Sequence, residues 1–255
     1  MVRGLELFAE RFAGYEDCYV LIGGAAAYLV QTEADLEPRA TQDLDIVLCV
    51  ESLTPDFGQR MWDFIAEGGY EVRQVGDQPR RFYRFARPSD QRYPKMLEFF
   101  ARKPGRVPLA ELGHLTPVPI DEAVVSLSAI LLNEDYYELI HTHKRQFYGV
   151  PVITEYALIP LKARAWLDLN KRREQGEQVD SRDIKKHRSD VFRLYRLLMP
   201  GESITLPDTV QSDLRAFLEA QQDQLDANYL KNLEITDEKG EEIIDRLADI
   251  FGVKV

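Results

Sequence analysis

Two cysteines in 255 residues, Cys18 and Cys49, are too few for a disulfide framework and wrongly spaced for a zinc site. Both read as small buried hydrophobes. No uninterrupted apolar run reaches the roughly 18 residues a spanning helix needs, so no segment is expected to cross a membrane. A signal-peptide core is lacking too. Glu6, Glu10 and Arg11 interrupt the first apolar residues, a pattern that suits an amphipathic helix and a cytoplasmic protein. Basic residues are in deficit, 32 Lys and Arg against 43 Asp and Glu, for a net charge of -11. That balance argues against a protein that coats nucleic acid nonspecifically through many phosphate contacts. No Walker-type phosphate loop, internal repeat or low-complexity tract occurs. Of the 4 histidines, His141 and His143 stand two apart with no cysteine near, which argues against zinc.

What is present is ordinary for a globular chain, with 45% hydrophobic and 29% charged residues. The charge is uneven. Residues 80–106 hold nine basic and two acidic side chains, whereas residues 201–255 hold five basic and thirteen acidic. The first block suits an anionic substrate, and the second suits a basic partner or plain solvation.

The patterning predicts an α/β (α+β) fold, a mixed sheet with helices over residues 1–154, followed by a helical domain over 155–255. "CYVLIGG" reads as a short strand ending in glycines, "AAAYLVQ" as a helix, "DLDIVLCV" as a strand and "DFGQRMWDFIAEGG" as a helix closed by glycine. "YEVRQVG", "RRFYRFARP" and "KMLEFFARK" alternate and are separated by turn residues, which predicts an antiparallel meander. "VSLSAILL", a helix in "NEDYYELIHTHKRQ" and the strand "GVPVI" complete this part. Beyond Thr154 strand signals give way to four helical windows, the second opened by Asp180 or Ser181. Trp62 and Trp166 read as core anchors.

The chemistry centres on two features. Gly23 and Gly24 lie between a strand and a helix, where bare backbone approaches a ligand and a helix N-terminus offers N–H groups to an anion. Asp43 and Asp45 share one face of the next strand, with Cα atoms roughly 6.5 Å apart. Paired carboxylates repel unless a cation lies between them, and Mg²⁺ (or Mn²⁺) prefers such oxygens while leaving positions for phosphate. A tight connection for the glycines and surface carboxylates for the aspartates are the competing readings.

In this order the motifs resemble the nucleotidyltransferase superfamily, most closely the AbiEii-type, MenT-like branch of bacterial toxins. The resemblance rests on "IGGAAAYLV", "RATQDLDIVL", "YALIPLKARAWLDL" and "SRDIKKHRSDVFRL" and covers about residues 15–198. It implies transfer of a nucleoside monophosphate from a nucleoside triphosphate to an acceptor, with release of pyrophosphate. The acceptor classes are a tRNA end, a protein side chain or a small molecule, and a toxin would have a cognate antitoxin. The resemblance assigns Gly23 and Gly24 to the phosphate turn, Asp43 and Asp45 to the metal, and Lys162 and Asp183 to the helical side of the site. Lys162 alternatively snorkels to water. Asp190, on nearly the same helical face as Asp183, is the other acid able to orient it, although Asp183 matches the motif better. A third metal-binding carboxylate is usual on a neighbouring strand. Glu98 in "KMLEFFAR" is the best candidate, with an edge-strand surface residue as its alternative, and Glu71 and Asp90 are poorer choices. The chain departs from the family at Ala25, where many members carry a phosphate-binding serine. The alternative to an enzyme is a non-catalytic nucleotide-binding or protein-interaction module that retains the fold.

Overall fold

Phe8 of helix α1 (Leu5–Arg11) and Phe12, the residue that caps its C-terminus, are four positions apart, and their rings stack at 4.4 Å. Both rings meet Tyr19 and Phe64 edge-on, which fixes where the first strand and the third helix must lie. The computed structural model describes residues 2–49, 51–72, 83–101 and 133–255. The chain divides into two compact units, Met1–Thr154 and Glu155–Val255. The fold is mixed α/β.

In the first unit, strand β1 (Tyr19–Ile22) runs into helix α2 (Gly23–Glu33), and strand β2 (Asp43–Leu48) follows. Helix α3 (Pro55–Gly68) starts where Thr54 accepts the Phe57 N–H at 3.2 Å and Pro55 opens the first turn. It ends at Gly69, whose φ of 60° places it in the left-handed region that terminates helices. Its apolar stripe of Phe57, Met61, Phe64 and Ile65 is buried. Strands β3 (Glu71–Val72), β4 (Tyr83–Ala86) and β5 (Met96–Ala101) come next. Helix α4 (Glu134–Thr142), strand β6 (Lys144–Phe147) and strand β7 (Val150–Ile153) complete the unit. The predicted helix "NEDYYELIHTHKRQ" therefore stops early, and Lys144 to Gln146 form an edge strand paired with β7 instead. The "VSLSAILL" segment lies outside the described residues.

Seven described strands form one sheet in the order β3-β4-β5-β2-β1-β7-β6. The predicted meander is present, since β3 pairs with β4 and β4 with β5, both antiparallel. β2 is antiparallel to β1 and parallel to β5, and β1 is parallel to β7. Tyr19, Leu21, Leu44 and Ile46 share the face covered by the aromatic side chains of α1 and α3. The opposite face of β2 carries Asp43 and Asp45.

All the described elements of the second unit are helices: α5 (Glu155–Glu174), α6 (Ser181–Tyr195), α7 (Asp208–Glu219), α8 (Ala227–Lys231) and α9 (Gly240–Ile250). Asp180 is the cap of α6, accepting the Arg182 N–H at 2.8 Å. α5 packs against both α6 and α7. No helix among the described residues is long and apolar enough to cross a membrane.

Candidate functional site

β2 begins with both acids half-buried and becomes fully buried from Ile46 onward. The alternation that buries Leu44 and Ile46 beneath the aromatic layer turns Asp43 and Asp45 to the other face. Asp45 is registered against Ile22, the last residue of β1, and the glycine turn therefore begins beside its carboxylate. Gly23 has φ 65°, and a β-carbon built on it would lie 2.7 Å from Asp45 Cγ and nearer still to Oδ2. Only glycine fits there, for conformational and steric reasons together. The Gly24 N–H donates to Asp45 Oδ2 at 3.3 Å, and a β-carbon on Gly24 would come within 3.0 Å of Thr41 Oγ1.

This geometry gives Asp45 a second role. α2 is capped by Ile22, which offers no side-chain acceptor, and its first turn holds no acid. The carboxylate of Asp45 supplies from a neighbouring strand the negative charge that a helix N-terminus favours. In this structure the glycine turn expected to hold phosphate faces a carboxylate.

Glu98 is registered against Asp45 on one side and Arg84 on the other. β5 lies between β2 and β4, so Glu98 is not an edge residue, and it is only 4% exposed. Arg84 Nε lies 3.0 Å from Glu98 Oε1. The Nε–H itself is directed at Met96 Sδ, 2.8 Å away, so the attraction to Glu98 is ionic rather than an aligned hydrogen bond. Among the described residues no group of three or more His, Cys, Asp or Glu is placed to hold a metal ion. The pair Asp43 and Asp45 would suit an ion that takes one or two protein carboxylates and completes its shell with water or phosphate. Glu98, expected as the third ligand, is engaged by Arg84. Strand alternation alone could not reveal that arginine, because it lies on a different strand.

The poorer acidic candidates also have partners, Glu71 with Arg87 at 3.2 Å and Asp90 with Arg92 at 2.7 Å. Hydrogen bonding to Arg92 holds the Asp90 carboxyl below its ordinary range. Of the basic block over residues 80–106, Arg84, Arg87 and Arg92 thus all face acids. His141 lies in the last turn of α4 with its ring 4.3 Å from that of Tyr137, and burial lowers the pKa of His143.

In the second unit Lys162 does interrupt the apolar side of α5, but it does not snorkel: it is 5% exposed, and its Nζ lies 3.0 Å from Asp190 Oδ2. The acid that orients Lys162 is Asp190 of α6, itself 7% exposed, rather than the motif-matched Asp183. Asp183 lies in the first turn of α6, where an acid complements the positive helix end. Trp166 is half-buried, with its ring edge-on to Phe217 at 5.3 Å, so it is a wall residue rather than a core anchor.

Comparison with protein-family models finds none that matches the chain, and comparison with curated proteins finds no match either.

Proposed function

We propose that the protein is a metal-dependent nucleotidyltransferase of the AbiEii-type, MenT-like kind. It would move a nucleoside monophosphate from a nucleoside triphosphate to an RNA or protein acceptor, as the toxin of a pair with a cognate antitoxin. The observation that carries this reading is the contact of Asp45 with the Gly23–Gly24 turn, with Asp43 beside it on the same strand face. A half-buried carboxylate at a helix N-terminus, with a second one on the same strand face, brings a cation site and an anion site together, the combination a metal-bound triphosphate requires.

Asp43 and Asp45 are the ligands for Mg²⁺ or Mn²⁺, which when bound neutralises charge on the phosphate oxygens. Asp45 would hold that ion while it also accepts the Gly24 N–H at 3.3 Å, and the unpaired N–H groups of the first turn of α2 would be the ones to receive a phosphate oxygen. The acceptor hydroxyl loses its proton to water, its oxygen bonds to the α-phosphorus, and the bond to the β-phosphate oxygen breaks to release pyrophosphate. Lys162, which the resemblance assigns to the triphosphate, lies in the second unit and is paired there with Asp190. Asp183, assigned by the same motif, then has a supporting part at most.

The second reading, a non-catalytic nucleotide-binding or protein-interaction module, is favoured by the occupation of Glu98 by Arg84 and by Ala25 in the glycine turn. One experiment separates the two. The protein is incubated with each labelled triphosphate, Mg²⁺ or Mn²⁺, total tRNA and total protein. Pyrophosphate release with a labelled acceptor, lost in Asp43→Asn and Asp45→Asn, supports the transferase. Binding without release for all four triphosphates overturns it in favour of the module.

A further inference from the structure

The second unit contains a cavity of about 740 Å³, within the size range of small-ligand sites. α5 and α6 form its walls, and Ala220 and Gln224 close it after α7. In a chain of net charge -11 its lining is cationic: Arg164, Lys171, Arg173, Lys185 and Arg188 against the single acid Glu174. Helical spacing explains the clustering, since Lys171 follows Arg164 by two turns and Arg188 follows Lys185 by one.

Most of this charge is uncompensated. Arg164 meets Asp213 at 3.0 Å. Lys171, Arg173, Lys185 and Arg188 form no ion pair among the described residues. Arg173 donates to the neutral Asn170 Oδ1 at 2.8 Å. Arg188 is held by neutral groups throughout: its Nε donates to Gln221 Oε1 and its Nη2 to the Gln224 carbonyl, each at 2.6 Å, while its guanidinium lies 4.0 Å from the centre of the Tyr229 ring. Gln221 is completely buried, so the guanidinium is fixed without being neutralised. A positioned arginine beside mobile lysines is suited to phosphate. Trp166, Leu167 and Ile184 give the same cavity an apolar and aromatic wall.

We propose that this cavity binds a phosphorylated nucleotide unit, with its phosphates on Arg188, Lys171 and Lys185 and its base or sugar against Trp166. The shared chemistry is that of a free nucleotide or of one unit in a nucleic-acid strand. The site lies wholly within the second unit, and the proposal does not depend on the acid pair of β2.

Binding of labelled ATP, inorganic triphosphate and a short single-stranded RNA to the full chain tests it. EDTA keeps metal-held triphosphate away from Asp43 and Asp45. Lys171 and Lys185 are exposed, so Lys171→Glu/Lys185→Glu should keep its melting temperature, with Lys171→Gln/Lys185→Gln in reserve. At low salt the reversal should weaken binding by about tenfold or more, and for RNA it should reduce the salt-dependence slope by roughly 1.4, two contacts' worth. ATP as tight as RNA identifies the free nucleotide, and tighter RNA identifies the strand. Three results overturn the proposal: no binding of either ligand, binding unchanged by the reversal, or inorganic triphosphate matching ATP while Trp166→Ala changes nothing.

Discussion

The carboxylate of Asp45 fills the space that a β-carbon on Gly23 would need, and the residue after that glycine donates its N–H to the same oxygen. Gly23→Ala should therefore destabilise the protein twice over, by about 1–2 kcal/mol for the left-handed backbone and further for the collision. Urea unfolding measures the total. In an Asp45→Ala background only the conformational part should remain, and an undiminished penalty there would remove the carboxylate from the argument.

The two aspartates should respond differently to loss of charge. Asp43→Asn relieves repulsion within the pair and should hold or raise the melting temperature without metal. Asp45→Asn gives up a charge at the positive end of α2 and should lower stability by about 0.3–1 kcal/mol. A saturating Mg²⁺–triphosphate complex at a hundredfold excess over its Kd should stabilise the parent by about 2.7 kcal/mol, and either variant by much less. Equal gains in all three proteins would place the metal elsewhere.

Arg84 and Glu98 form a pair with side chains 21% and 5% exposed. Arg84→Met leaves a carboxylate buried with its ion-pair partner removed and should cost about 3 kcal/mol, the lower end expected for a buried pair because the arginine is partly wet. Arg84→Met/Glu98→Leu should recover most of that loss. If Arg84→Met instead leaves stability intact and strengthens Mg²⁺ binding, Glu98 is a metal ligand and the arginine only its resting partner.

Lys162 and Asp190 are buried more evenly, with only 6% and 9% of their side chains exposed. Truncating either alone should cost about 3–5 kcal/mol, and Lys162→Met/Asp190→Leu together markedly less than the sum. Thermal melting of the three variants checks this. Additive losses would show that each side chain serves a different neighbour.

Burial raises the Cys49 thiol from its ordinary 9.0 to about 12, against a smaller opposing pull from Lys144, and burial likewise raises Cys18. The folded state then holds its thiol protons more tightly than the unfolded chain. Stability from this source is full below pH 9, the ordinary thiol value, and is lost as pH climbs towards about 12. Unfolding free energy measured across that window should fall, and Cys49→Val should flatten the fall. A parallel slope in the variant would assign the alkaline loss to other groups.

The strands nearest the acid pair were legible because alternation, glycine punctuation and turn residues agree over "CYVLIGG", "DLDIVLCV" and "KMLEFFARK". Lys144 to Phe147 was not, because a basic edge strand has weak periodicity and follows a helix directly. At the candidate site the residues could be named, but not all of their partners. That Glu98 faces Arg84, and that Lys162 faces Asp190 rather than Asp183, depends on strand order and helix rotation. A motif at fixed spacing carries neither. Helix α8 was missed for a simpler reason, since five residues are too few to show a period.

The order of the strands bears on how the chain emerges during synthesis. β1, α2 and β2 are close neighbours in sequence, so the glycine turn and Asp45 can meet while little more than the first fifty residues are available. β5 joins β2 in parallel only from Met96 onward, and β7 closes the other flank of β1 only from Val150 onward. Each of these pairings must first close a long loop, and late pairing of this kind slows folding. Until Val150 is made, one side of β1 presents an unpaired edge beside the half-assembled acid pair. The last described strand ends at Ile153, one residue before the first unit ends, so every described strand is made before the helices of the second unit begin.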